Sequence, residues 1–311
     1  MSYDDVVDFI LKNSSKCLNP KEAVSLIFES KASPDMKLSF IGHCISVKTL
    51  SPTGFNEEDT VLATAFTEPK GGSSLKTLET TVDDFGRVSG TKYFVTNGAF
   101  AARFLVLAQK KTGEHVLLLV RRSKNVVTEN LPLIVYEKSG ISKVVFKNAE
   151  SKQMFHEGKE SYVKALKGLV YGRVLVSALA VSLGLEILDN AIEWANKRLA
   201  NGTPLIEKEI IEQRIADAYA KLSVAKSYIA KVVSENTLTW ISTSVAKYVS
   251  VNYSSKAVES LIKIFGGYAF LKTTDIIHKY LHILALEPAE GTSDIQLKII
   301  MKSILREKSK K

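Results

Sequence analysis

Only two cysteines occur in this 311-residue chain, Cys17 and Cys44, and they stand in no C-x-x-C or zinc-type spacing. Two are too few for a disulfide framework, so the expected home is a reducing cytosol. The five histidines form no H-x-x-x-H motif with nearby acids; His278 and His282 are four apart, but no adjacent glutamate completes a zincin-type site, so no metal is expected. No G-x-S-x-G, P-loop or G-x-G-x-x-G is present, which removes support for nucleophile-elbow, phosphoryl-transfer and Rossmann chemistry. No run of ~18 uncharged apolar residues exists, so no membrane span is expected. The opening "MSYDDVVDFI" carries acids where a signal peptide needs basic residues. Internal repeats and low-complexity segments are lacking too.

What is present is ordinary for a soluble globular protein: 45% hydrophobic and 24% charged residues, enough for a large core and two or three domains. The net charge is +9, part of it in the terminal "REKSKK", read as a frayed end. The remainder is dispersed. Such a balance favours polyanionic partners: nucleic acid, an acidic surface, or a phosphate-rich small molecule such as coenzyme A.

Three regions follow one another. Residues 1–60 read as short helices, "YDDVVDFILKN", "NPKEAVSLIFES" and "SPDMKLSFIGHCISVKTL", with "SPTGFNEED" a loop. Residues 61–155 hold short, β-branched segments: "VLATAFTE", "KTLETTVDD", "KYFVTNGAF", "FLVLAQK", "HVLLLVRR", "VVTENLPLIVY" and "ISKVVFKN". These predict a compact antiparallel barrel or sandwich. Residues 156–311 return to helix. "ESYVKALKGLVYGRVLVSALAVSLGLEILDNAIEWANKRL" is one long apolar helix, "IEKEIIEQRIADAYAKLSVAKSYIAKVVSENTLTWI" a second, "SKAVESLIKIF" a third and "SDIQLKIIMKSILREK" the last. Their wide apolar faces predict a four-helix bundle, buried in part against another subunit. The fold class is α+β.

Four features could carry chemistry. In "FTEPKGGSS" Pro69 breaks a strand after Thr67, Gly71-Gly72 let backbone approach a ligand, and Ser73 and Ser74 offer donors for a phosphate. The same residues could form an ordinary turn. In "GTKYFVTNGAF" alternation puts Phe94 and Thr96 on one face, suited to flank a flat ring and bond its edge, or to end a strand at an Asn-Gly turn. Arg173 lies in an apolar helix and needs an anionic partner or ligand. In "ALEPAEGTSDIQLKII" Glu290 precedes a helix start with Ser293 and Gln296 in capping-box spacing. Glu290 could answer the helix dipole, or serve as a base on a shaped loop.

Taken in order, these motifs resemble those of the acyl-CoA dehydrogenase family of flavoproteins. "AFTEPKGGSS" is similar to its T-E-P-x-A-G-S-D loop and "GTKYFVTNG" to its G-x-K-x-W-I-T-N-G strand. "GRVLVSALAVSLGLEILDNAIEWANKR" is similar to its R-x-x-x-A-A helix, "IFGGYAF" to I-F-G-G-x-G and "AEGTSDIQ" to Y-E-G-T-x-x-I-Q. The likeness runs from about residue 35 to 306. This chain has Phe94 for the family tryptophan, Lys70 and Ser74 in the loop, Asn201, Lys263 and Leu281-His282 at other motif positions, and Ala289 for the tyrosine.

The resemblance implies a short N-terminal helical segment, a middle β-barrel domain and a C-terminal four-helix bundle, with FAD between the β domain and the bundle. Thr67 and Thr96 would bond the flavin and Phe94 would lie near it. Gly72 and Ser73 would meet the pyrophosphate or the thioester tail. Arg198 and Gly267 would reach the partner subunit's FAD, Lys263 could serve FAD phosphates as a point charge, and Thr292 would contact the cofactor. Glu290 would be the base that takes the α-proton of an acyl-CoA as the β-hydride passes to flavin, with Ser73, Arg173 and Gly291 toward substrate. The implied partners are acyl-CoA, a second copy in a homodimer or homotetramer, and an electron-transfer flavoprotein. A reduced N-terminal domain leaves a second reading open, a non-catalytic relative serving as a binding or assembly subunit. A third, nucleic-acid binding, lacks an aromatic-interleaved basic block.

Overall fold

The structure is a computed structural model describing residues 1–54, 59–235 and 237–309, the side chains of 152 and 153 excepted. The loop expected at 51–59 falls partly on residues 55–58, outside the described residues. So do the last two residues of the basic tail. The chain divides into two compact units, residues 1–23 with 30–172, and residues 24–29 with 173–311.

The three N-terminal helices, which belong to the first unit except for residues 24–29, form as expected, because each has its own start signal. Ser2 and Asp5 make a reciprocal capping box at α1 (Tyr3–Asn13). Pro20 opens α2 (Pro20–Glu29). Ser33 caps α3 (Pro34–Leu50), with Pro34 in its first turn. From Lys37 to Ser46 every residue of α3 is buried, which explains its lack of a polar face. His43 is fully buried, and burial pushes its pKa down to about 4. Its neutral ring accepts from the Leu62 N–H at Nδ1 (3.1 Å), so Nε2 donates to Ser14 Oγ (2.9 Å). Next to it in sequence, Cys44 forms a disulfide with Cys17. One bond is no framework, but spacing of 27 residues gave no sign of it.

Seven strands follow: β1 (Leu62–Ala65), β2 (Thr81–Val82), β3 (Arg87–Val95), β4 (Arg103–Gln109), β5 (His115–Arg121), β6 (Val126–Asn130) and β7 (Ser142–Glu157). The pairings β4–β2–β3–β7–β5 return from β5 to β4, closing a barrel. β1 lies parallel beside β4, and β6 antiparallel beside β7. Closure leaves the central strands without a free edge. Leu105, Leu107, Leu117 and Leu119 share one core with Leu62, Phe66 and Leu75. On the opposite face Phe104 meets Phe146 edge-on. Both faces are covered, so β4 and β5 are uninterrupted apolar runs rather than alternating ones. Of the segment expected as a strand at 76–84, only Thr81–Val82 pairs.

The second unit is built on α4 (Lys159–Lys197) from Arg173 onward, α5 (Glu209–Ser234), α6 (Trp240–Phe265), α7 (Ile276–Ala285) and α8 (Ser293–Lys308). By length and composition α4 could cross a membrane, but 83% of its most apolar window is buried inside the protein. Its Gly184 sits against α5 and α6: a Cβ there would lie 2.6 Å from Leu222 Cδ2 and 3.4 Å from Ser254 Oγ. The expected second helix, 206–241, is corrected. It stops at Ser234, and Thr239 with Ser242 starts α6 by a capping box. The break has no glycine or proline to announce it. α7, ten residues long, was not foreseen.

Candidate active site

The features at Thr67–Ser73 and Phe94–Thr96 meet in the barrel unit. The Tyr93 N–H donates to the Thr67 carbonyl (2.9 Å), joining the loop after β1 to β3. Beneath them Lys92 is fully buried and its Nζ donates to Glu68 Oε1 (2.9 Å) and the Phe66 carbonyl (3.2 Å). Glu68 also accepts from the backbone N–H groups of Glu79 (2.7 Å) and Thr80 (2.9 Å). Burial pushes the Glu68 carboxyl up, but Lys92 and these donors outweigh it and hold the pKa below its ordinary value. The loop is therefore pinned from below while Gly72, Ser73 and Ser74 stay exposed. A Cβ on Gly72 would come within 3.0 Å of Thr67 Cγ2, so this close turn suits glycine.

β3 bulges between Lys92 and Val95, and Phe94 takes φ 53°. Positive φ is costly for a bulky residue, and a bulge re-aims its side chain. Phe94 is 57% exposed, its ring edge-on to Tyr93. Thr96 is half-buried, against Gly42 of α3.

Glu290, Gly291, Thr292 and Arg173 come together in the helical unit. Glu290 has φ 54° and Gly291 φ 97° in the turn between α7 and α8. Arg173 Nε donates to the Glu290 carbonyl (3.2 Å), its Nη1 reaches Ser244 Oγ (3.4 Å), and its guanidinium lies 5.7 Å from the Trp240 ring centre. The Glu290 residue is half-buried, yet Oε2 is shielded from water and has no hydrogen-bond partner. Burial raises its pKa to about 7, against the pull of Arg173 and Lys247. The arginine, also buried, is lowered to about 10, with Glu290 opposing that shift.

The start of α8 differs from the expected capping box. Thr292, not Ser293, is the N-cap, its Oγ1 accepting from the Ile295 N–H (3.4 Å). Gln296 turns back to donate to the carbonyls of Glu290 (3.2 Å) and Gly291 (2.8 Å). The carboxylate that serves the helix terminus is Glu287, whose Oε1 accepts from the Ser293 N–H (2.7 Å). That leaves the Glu290 carboxyl free of a capping duty.

Arg198, Lys263 and Gly267 are exposed. The Arg198 guanidinium lies 5.2 Å from the ring centre of Tyr268, which contacts Trp194 at 4.9 Å. Arg173 and Arg198 are separated by 25 residues, nearly all of them in α4, which is roughly 35 Å of helix at 1.5 Å per residue. The two groups thus occupy different places in the helical unit.

Comparison with known proteins shows the family of the chain. The acyl-CoA dehydrogenase middle-domain family matches residues 63–149, and the acyl-CoA dehydrogenase C-terminal-domain family matches 163–305. The chain belongs to the acyl-CoA dehydrogenase family. It is similar to an acyl-CoA dehydrogenase of Bacillus subtilis, 27% identical over 262 residues, 78% of this chain and 68% of the relative. It is also similar to the caffeyl-CoA reductase-Etf complex subunit CarC of Acetobacterium woodii, 24% identical over 259 residues, 79% of this chain and 68% of that one. Its fold matches the crystal structure of acyl-CoA dehydrogenase from Geobacillus kaustophilus with a TM-score of 0.86 and 19% identity, covering 96% of this chain and 90% of the other.

Acyl-CoA dehydrogenases are FAD-binding flavoproteins, and the barrel residues fit that group. Thr67, Ser73 and Thr96 supply hydroxyl groups, Gly72 keeps the loop close, and the exposed Phe94 ring offers a face. Among the described residues no cluster of three or more His, Cys, Asp or Glu is placed to hold a metal. Four residues of the site escaped sequence reasoning: Glu68 and Lys92 under the loop, and Glu287 and Lys247 at the Glu290 turn. A lysine inside the small-residue and apolar run "STSVAKYVSV" was the one available signal for Lys247.

Proposed function

We propose that the chain is a FAD-dependent acyl-CoA dehydrogenase that converts an acyl-CoA thioester to the 2,3-enoyl-CoA, with Glu290 as the base. One observation carries the reading: Glu290 holds a shielded, unpartnered carboxylate oxygen and a pKa of about 7, while Glu287 occupies the helix terminus. A base titrating there is half ionised near neutrality and gains strongly on accepting a proton. Glu290 takes the α-proton and becomes the neutral acid, which its buried setting favours. FAD, when bound, would supply the acceptor for the β-hydride, so that loss of the α-proton and of the hydride leaves the α–β bond double. Thr67, Thr96 and Phe94 would hold the ring, Gly72 and Ser73 the pyrophosphate or thioester end, and Thr292 would contact the cofactor. Ser73, Arg173 and Gly291 would serve the substrate.

Arg198, Lys263 and Gly267 sit far along the bundle from Arg173, which supports their serving a second subunit's FAD in a homodimer or homotetramer. Lys263 is suited to a phosphate as a point charge. Electrons then pass to an electron-transfer flavoprotein, the kind of partner named for the Acetobacterium relative. An absorbance scan before and after adding a panel of acyl-CoAs tests the proposal. It expects a flavin spectrum that bleaches with at least one of them. A colourless protein that binds no FAD would favour a non-catalytic assembly subunit instead.

A further inference from the structure

Lys247 stands in the first half of α6 with no exposed surface, and its ammonium points at the turn that carries Glu290. Nζ donates to two carbonyls, those of Glu287 and of Gly291 (2.6 Å). These carbonyls bracket Glu290: one lies two residues past the end of α7, the other just before the N-cap of α8. A lone ammonium thus ties both ends of a five-residue turn whose base residue has φ 54°. Strained backbone of this kind persists only where its surroundings over-determine it. Gln296 and Arg173 hold the Glu290 carbonyl from the sides, but neither reaches Glu287.

Burying a lysine is expensive unless its donors are used. Here the acceptors are two backbone carbonyls of one turn, and among the described residues no carboxylate forms an ion pair with the ammonium. Burial draws its pKa down to about 8, against the pull of Glu287 and Glu290, with Arg173 adding to the fall. The charged groups facing the turn are therefore Arg173 from α4, Lys247 from α6, and Glu287 and Glu290 in the turn itself.

We propose that Lys247 is a positioning residue that clamps the 287–291 turn and so holds the Glu290 carboxyl in its shielded place. The effect on catalysis rests on the reading of Glu290 as base, but the clamp itself does not. Lys247→Met keeps length and apolar bulk while removing all donors, and Lys247→Gln keeps one shorter donor.

The test is hydrogen–deuterium exchange of the FAD-loaded protein, read on peptides spanning 286–297. With the charge-assisted bonds lost, exchange there should quicken about ten-fold or more in Lys247→Met and less in Lys247→Gln, with peptides of α4 unchanged. Flavin reduction by acyl-CoA should slow through kcat rather than KM. The acid limb of its pH profile should move up, because a cation beside Glu290 is gone. Unchanged exchange at 286–297 in either folded variant overturns the clamp. Quickened exchange throughout α6 and α4 also overturns it, since that marks a core residue rather than a positioning one. If Glu290→Gln leaves flavin reduction unchanged, the base assignment fails, and the exchange result still decides the clamp.

Discussion

Replacing Glu290 by glutamine should make the protein more stable at pH 8 than at pH 5, relative to wild type. The buried carboxyl has a folded pKa of about 7, above its ordinary value of 4.5. Between those values the native state holds a proton that the unfolded chain has lost, so wild-type stability falls as pH rises through this window. The raised pKa sets a ceiling of about 3 kcal/mol at ~1.4 kcal/mol per pKa unit. Glu290 is half-buried, and glutamine leaves Arg173 and Lys247 without a facing carboxylate, so a gain of about 1–2 kcal/mol is expected at pH 8 after screening. At pH 5 the two proteins should differ by less than about 0.5 kcal/mol. Urea unfolding at pH 5, 6, 7 and 8 measures the difference directly. A carboxylate serving the helix dipole gives the opposite sign, with the variant losing about 0.3–1 kcal/mol once the wild type ionises. Parallel pH profiles, or a variant less stable at pH 8, would refute the reasoning.

Other substitutions probe the scaffold. Lys92→Met leaves Glu68 buried without its cation and should cost about 3–5 kcal/mol, lowering the melting temperature and weakening FAD retention as the Thr67 loop loosens. By contrast Lys197→Met removes an exposed pair with Glu193 and should change stability by less than about 1 kcal/mol; a comparable loss at both sites would deny Lys92 its special place. Denatured, unreduced protein should show no free thiol, and reduction should cost about 3.5 kcal/mol for a bond closing a loop of this length. Two titratable thiols in the folded preparation would contradict the Cys17–Cys44 bond.

Local patterns carried much of the fold from sequence. The three N-terminal helices were legible from apolar spacing, with Asn19-Pro20 as a start signal, and the run from Lys159 to Lys197 kept helical spacing without a proline. The α5–α6 break was hidden because Thr237–Thr239 ends one helix and caps the next with no glycine or proline. At the site, residue types at Thr67, Phe94, Thr96, Arg173 and Glu290 stood out by their motif context. Their partners did not. Glu287 reaches the α8 start across six residues, Lys247 reaches Gly291 across 44, and Cys17 finds Cys44 across 27. Such pairs depend on how elements pack, which periodicity along the chain does not encode. The positive φ at Phe94 and Glu290 is likewise a product of the bulge and the clamped turn, not of residue preference.

The central claim is that Glu290 removes the α-proton. Anaerobic mixing of the FAD-loaded protein with an acyl-CoA that reduces the wild-type flavin, repeated with Glu290→Gln, tests it most directly. The account predicts bleaching at least ~10²-fold slower in the variant with FAD content unchanged, the lower end for loss of a general base. Bleaching at the wild-type rate would remove Glu290 from the chemistry.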